Sequence, residues 1–143
     1  MRLQFKHCDY IKWKVKKKAK SSIIEELGSN NEGYVDEALV VFMASEGLDQ
    51  KNPQEVSQKA VESIGDVANQ IKIKRVVLFP YVHLFPESLP PAEFAFDCIK
   101  QIGYILEREG YEAWRVPFGW YKMHELRCKG HPLSELSKTI RCD

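Results

Sequence analysis

Chemistry-bearing side chains keep suggestive company at four places in this 143-residue chain: His83, the run Trp120-Tyr121-Lys122, the turn Cys128-Lys129-Gly130-His131, and Glu135. His83 follows an apolar, strand-like run, and an imidazole there is able to hold a proton or a water near neutral pH. In open α/β sheets, ligands gather beyond the carboxyl ends of parallel strands, and Ser45 and His83 both fall at such ends. Trp120 and Tyr121, adjacent on a strand, point to opposite faces, so one packs inward and the other is free to line a pocket. Lys122 beside them is placed to donate a charge-assisted hydrogen bond to a carbonyl, a phosphate or a water. Each residue also has a plain structural role open to it: a loop histidine bonded to backbone, core aromatics, a surface lysine, and for Glu135 an acid favourably placed near a helix N-terminus. Cys128 and His131 have the spacing of half a zinc site, with His7-Cys8 the only conceivable complement. No second spaced pair supports it, and no metal is expected.

These side chains need a scaffold, and hydrophobic periodicity outlines one. Arg2 to His7 alternates, and Ile11, Trp13 and Val15 alternate with Lys12, Lys14 and Lys16, which predicts a β-hairpin with one wet face. After a polar stretch from Gly28 to Gly33, Ala38 to Ala44 is apolar on both faces, as in a central strand. Asn52 as cap and Pro53 at the first position open a helix running to Gln70 or Ile71. Arg75 to Tyr81 is a second buried strand. Pro90-Pro91 opens a second helix that Gly110 stops. Tyr111 to Val116 and Tyr121 to Cys128 read as further strands, and Pro132 to Ile140 as a short helix. The order is two strands, two strand-helix units, then two or three strands. An α/β fold of layered mixed β-sheets with helices on one face follows, because only the helix-containing connections are long enough for parallel crossovers. Neither strand-helix junction has a glycine-rich phosphate loop, which disfavours a nucleotide-binding Rossmann domain.

Charge adds one asymmetry. The whole chain has 21 Lys plus Arg against 20 Asp plus Glu, yet residues 1 to 20 hold eight basic groups and a single acid, Asp9. A basic segment of this kind either attracts phosphate backbones or keeps a sheet edge from pairing with another chain. No run approaches the roughly 18 to 20 apolar residues of a membrane-spanning helix. The four cysteines are dispersed, and the expected home is a reducing cytoplasm.

The blocks Pro117-Phe118-Gly119-Trp120-Tyr121-Lys122 and Cys128-Lys129-Gly130-His131-Pro132-Leu133-Ser134-Glu135 resemble the archaeal threonyl-tRNA synthetase N-terminal editing domain. His7-Cys8-Asp9-Tyr10, Asp49-Gln50-Lys51-Asn52-Pro53 and Pro80-Tyr81-Val82-His83-Leu84 match further blocks in order, so the resemblance covers nearly the whole chain. It implies a D-aminoacyl-tRNA deacylase-like fold and a single editing domain over residues 1–143, either the N-terminal part of a longer synthetase or a free-standing factor. The implied activity is hydrolysis of L-serine wrongly attached to threonine tRNA, with water helped by a ribose hydroxyl of the terminal adenosine. Carried over by motif, Lys122 orients water or stabilises the oxyanion, and His83 holds the terminal nucleotide or the water. Trp120, Tyr121 and Glu135 help form the pocket, while Ser45 and Val82 offer main-chain contacts. The aminoacylated tRNA 3′ end is the implied partner, a homodimer the implied assembly, and no cofactor is expected, ATP and zinc belonging to the rest of a synthetase. Cys8, Ser45, Val82 and Phe85-Pro86 depart from the family pattern. Two rivals are a D-aminoacyl-tRNA deacylase and a non-catalytic tRNA-binding module.

Overall fold

The computed structural model describes residues 1–29 and 31–142; Asn30, in the predicted polar stretch, and Asp143 lie outside the described residues. Six strands and two long helices follow the order β1 (Arg2–Lys18), β2 (Glu32–Ala44), α1 (Pro53–Gln70), β3 (Arg75–Pro80), α2 (Ala92–Arg108), β4 (Glu112–Arg115), β5 (Trp120–Cys128), β6 (Glu135–Thr139). They form one mixed sheet in the order β4-β3-β2-β1-β5, with β6 also paired to β1. The two helix-containing connections join parallel neighbours, β2 with β3 and β3 with β4, while β1 is antiparallel to β2, β5 and β6.

The mixed α/β class and the one-sided helix layer are as expected, and two local readings are corrected. Residues 2 to 18 are not a hairpin but one 17-residue strand; β2 is its antiparallel partner from Arg2↔Ala44 to Lys14↔Glu32. Asp9 is skipped in the pairing with both β2 and β5, a local irregularity, and the strand runs on because Cys8 before it and Tyr10 after it are paired on both sides. Pro132 to Ile140 is not a helix. Glu135–Thr139 is β6, paired with Arg2–Lys6, and its alternation of exposed and half-buried residues has the period of a strand. Asn52 is the N-cap of α1 as expected, its carbonyl accepting from the Val56 amide at 3.1 Å, while its side-chain amide donates to the Glu55 carboxylate at 2.7 Å.

The core explains the layers. Leu39, Val41 and Met43 of β2, with Leu3 and Phe5 of β1 and Val76 and Leu78 of β3, meet the buried stripes of α1 (Val56, Ala60, Ile64, Val67) and α2 (Cys98, Ile99, Ile102, Leu106). Each large apolar side chain buried there contributes about 1.5–3 kcal/mol. Ala38, Val40 and Phe42, the alternate residues of β2, face the other way with Val77 and Phe79. Glu37 interrupts that alternation. Its φ of 47° lies in the left-handed region, and beyond it Val35, Ile11 and Trp13 join this second cluster instead of the helix-covered one. Lys129 holds the kink, its ammonium 2.6 Å from Asp9 and 2.9 Å from Glu37.

Trp13 lies flat over Gly33, its cross-strand partner, so closely that a Cβ at Gly33 would overlap the indole ring. Gly33→Ala is therefore expected to lower stability by about 1–3 kcal/mol, measured as a shift in the urea midpoint. In a Trp13→Leu background the same substitution should cost far less. Equal losses in both backgrounds would show that the indole contact is not the cause.

Candidate active site

Where the parallel strands β2 and β3 end, the sheet opens into a cavity of about 570 Å³. Met43, Ala44 and Ser45 form one part of its floor; Phe79, Pro80, Tyr81, Val82 and His83 form another. The parallel ladder persists to this edge, since the Tyr81 amide still donates to the Met43 carbonyl at 2.8 Å. Ser45 is buried. Directly after it, Glu46 and Asp49, also buried, accept hydrogen bonds from the Met1 ammonium at 3.0 Å each, so an ion cluster fixes the end of the strand that carries Ser45.

The opposite wall consists of two segments laced together, residues 19–25 and 117–120. Glu25 is the clasp. Its carboxylate takes a two-pronged pair from Arg115 at 3.0 and 2.9 Å and a further bond from the Phe118 amide at 3.0 Å. Its main-chain carbonyl accepts from the Trp120 indole at 2.8 Å, and the Ala19 amide donates to the Gly119 carbonyl at 2.9 Å. Gly119, at a φ of 86°, passes so close to the Ile23 carbonyl that no side chain fits between them.

Lys122 projects from β5 into this space. Its ammonium donates to the carbonyls of Pro117 at 2.8 Å and Trp120 at 2.9 Å and lies 5.3 Å from the centre of the Phe79 ring. Burial lowers its pKa to about 8, with Glu25 pulling weakly the other way. An ammonium has three N–H groups, so two carbonyls leave one for a ligand. Around it stand aromatic rings: Phe79 packs 4.9 Å from His124, and Tyr81 makes an edge contact with His83 at 5.0 Å.

Of the residues expected from sequence, Ser45, Val82, His83, Trp120, Tyr121 and Lys122 all line this one cavity. Glu135 is not among them. It begins β6 opposite Lys6 and pairs with that ammonium at 3.0 Å, so it is neither an early helical acid nor brought to the other site residues within the chain. The Cys128–His131 turn is engaged elsewhere too. The Leu133 amide donates to His131 Nδ1 at 3.2 Å, which leaves the proton on Nε2 to be donated to His7 Nδ1 at 2.7 Å. Burial and the facing His131 lower the His7 pKa. Among the described residues no group of three or more His, Cys, Asp or Glu side chains is arranged to hold a metal ion.

Several contributors were not anticipated. His124 was within reach, since Trp120, Lys122 and His124 share a strand face by the period of two. Tyr81 falls at the same strand end as His83. Ser21 and Ser22, by contrast, come from a non-repetitive segment whose position depends on the Glu25 clasp, which no spacing announces. Cys98 is buried and is not among the cavity's lining residues, and burial raises its thiol pKa to about 11.

The sequence profile described as the archaea-specific editing domain of threonyl-tRNA synthetase matches residues 1–140. The chain belongs to this family. Threonine–tRNA ligases of Methanopyrus kandleri and Thermococcus kodakarensis are each 44% identical over 140 residues, covering 98% of the chain. That of Methanococcoides burtonii is 43% identical over 144 residues and covers all of it. The chain spans only 22% of the length of each of these relatives. A solved structure, the c-Myc DNA unwinding element binding protein, superposes with a TM-score of 0.69 over 99% of this chain and all of that one, at 10% identity, a likeness of fold alone. The shared fold is the mixed α/β arrangement of one sheet and two helices described above. Among the described residues no helix is long and apolar enough to cross a membrane.

The low Lys122 pKa has a consequence for stability. The unfolded side chain titrates near its ordinary value of 10.5 and the folded one near 8, so between these pH values the unfolded state binds more protons. The cost of burying the charge is complete below about pH 8 and is relieved as pH rises toward 10.5. The stability of the wild type relative to Lys122→Met is therefore expected to increase by about 1 kcal/mol per pH unit across that window. Urea unfolding of both proteins from pH 7 to 10 checks this; a flat difference would mean that Lys122 is not desolvated.

Proposed function

We propose that this editing domain hydrolyses L-serine from mischarged threonine tRNA and spares the threonyl ester, as the N-terminal part of a synthetase that ligates threonine to tRNA. The observation that carries this reading is the half-buried Lys122 ammonium, held by two neutral carbonyls in the cavity at the strand ends. Editing suits a pair of amino acids differing by one methyl, because an apolar contact separates them by only about 1–3 kcal/mol and a second, hydrolytic sieve multiplies the discrimination.

In this reaction a water oxygen adds to the ester carbonyl, and the carbon–oxygen bond to the terminal ribose breaks. One water proton ends on the ribose oxygen, which leaves as a free hydroxyl. Water is the only co-reactant, so the step needs no cofactor. The third N–H of Lys122 donates to the carbonyl oxygen as negative charge develops there, an interaction that strengthens in the transition state. The neighbouring ribose hydroxyl orients the water, His83 and Val82 hold the terminal nucleotide at the cavity mouth, and Ser45 contacts the aminoacyl group from the floor. A carboxylate at Lys122 would neutralise this charge; Glu25 is kept from doing so by Arg115.

Single-turnover hydrolysis of seryl-tRNA and threonyl-tRNA tests the proposal. The wild type should release serine at least about a hundredfold faster than threonine, and Lys122→Met should slow serine release by about 10²–10³-fold, as for loss of one oxyanion donor. Because the charged form does the work, the ratio of wild-type to Lys122→Met rates should be greatest below pH 8 and fall above it. A ratio that climbs through pH 8 would instead make the neutral amine a base. Hydrolysis of D-aminoacyl esters in preference to L-seryl esters would point to the D-aminoacyl-tRNA deacylase reading, and binding without turnover to a tRNA-binding module.

A further inference from the structure

The lysines of β1 are not used alike. Along the body of the sheet they are neutralised: Lys6 pairs with Glu135 at 3.0 Å and Lys12 with Glu125 at 3.5 Å. From Lys14 onward the strand carries Lys14, Lys16, Lys17, Lys18 and then Lys20, all exposed, and among the described residues none of these five forms an ion pair. Such a row of unpaired cations along extended chain spans roughly 20 Å at about 3.3 Å per residue. They are not spread around the cavity either. Lys17 lies over the Tyr121 ring and Lys18 over the Trp120 ring, each at 5.9 Å, and both rings line the mouth, where Lys20 joins them. The facing rim, Val82, Leu89 and Pro90, is apolar, with Val82 and Leu89 about half exposed.

Leaving charges unpaired on one side of a pocket costs self-repulsion that nearby acids would relieve, and the strand has such acids beside it elsewhere. A ligand with regularly repeated negative charge is the complement of this arrangement. The two rims then divide its chemistry: phosphates on the lysine side, the flat faces of bases against Val82 and Leu89. Tyr121, 52% exposed at the point where the lysines end, offers a ring for a base to stack on.

We infer that the end of β1, Lys16, Lys17 and Lys18 with Lys20 at the rim, is the track along which the phosphates of a single-stranded polynucleotide 3′ end enter the cavity, with Tyr121 stacking on one of its bases. This deepens the editing reading and rests on it for the identity of the strand. It assigns a direction as well: the strand crosses the β1–β5 edge of the sheet and turns into the cavity between Gly119 and His83, leaving the helix-covered face untouched.

The test measures binding of deacylated tRNA by the full chain as a function of salt, together with hydrolysis of seryl-tRNA and of 3′-O-seryl-adenosine, which carries no phosphates. The variants are the triple Lys16→Gln, Lys17→Gln, Lys18→Gln, a charge-matched control triple Lys51→Gln, Lys74→Gln, Lys100→Gln, and Tyr121→Ala. The track triple should weaken tRNA binding at least about tenfold at low salt and reduce the slope of log affinity against log salt by about 2, since each phosphate no longer neutralised removes roughly 0.7 from that slope. The control triple should leave the slope within experimental error. Tyr121→Ala should weaken binding about tenfold without changing the slope. Hydrolysis of 3′-O-seryl-adenosine should proceed at the same rate in the track triple as in the wild type. A slope unchanged in the track triple, or lowered equally in both triples, overturns the proposal while leaving hydrolysis, and with it the editing reading, intact. A slope lowered only in the track triple upholds the track even if neither ester is hydrolysed, an outcome that would remove the editing reading alone.

Discussion

Pairing of β1 along both of its edges is the constraint from which the rest of the molecule follows. One edge belongs to β2, and the other is divided between β6 near the N-terminus and β5 toward the end. A strand committed on both sides cannot slide, because a shift of one residue would turn its buried Leu3 and Phe5 toward solvent. Pairing with β5 places Val15 beside Lys122 and, past a bulge at Lys16, Lys17 beside Tyr121 and Lys18 beside Trp120. The left-handed residue at Glu37 resolves the one conflict in this plan. A long twisted strand pair cannot keep the same residues facing the helices throughout, and the kink lets Ile11 and Trp13 find the second apolar cluster instead.

Much of this was legible because burial leaves a periodic trace. β2 and β3 announced themselves by apolar runs, α1 by Pro53 and its stripe, α2 by Pro90-Pro91 at its start and Gly110 at its end, where the glycine does take a positive φ. The errors share one physical origin. The two alternating runs of β1 and the polar residues of β6 belong to segments whose extended form is set by partners distant in sequence, so local pattern suggested a hairpin in one case and a helix in the other. The site divides in the same way. Residues at strand ends or on one strand face, such as Ser45, His83 and Lys122, were accessible to pattern; the wall at residues 19–25 was not, because it is placed by Arg115 and Phe118 through a single carboxylate. Glu135 was misread only in its local structure, since it lies on β6 opposite Lys6 and not in a helix.

Two opposite treatments of positive charge coexist within a few residues. At Lys129 the ammonium is surrounded by Asp9 and Glu37, and its pKa is raised, first by the hydrogen bond to Asp9. At Lys122 the partners are dipoles, and burial dominates in the other direction. The first arrangement stabilises a kink and has no charge left to give. The second retains a full unit of charge in a partly desolvated place, which lowers stability locally and makes the group responsive to any negative charge that appears beside it.

That contrast explains why the Glu25 clasp is built as it is. A carboxylate near Lys122 would raise its pKa and fill its third hydrogen bond, making a stable ion pair with nothing to offer a developing oxyanion. Removing the carboxylate altogether would leave the Arg115 guanidinium and the Phe118 amide without their acceptor, and the wall of the cavity without its anchor. The two-pronged Arg115 pair satisfies both requirements, because it fixes the wall and neutralises Glu25 before that charge reaches Lys122. Glu25 consequently raises the Lys122 pKa less than burial lowers it. The order of these two effects keeps the ammonium near its titration point with one N–H uncommitted, and it is set by a residue pair that need never touch the substrate.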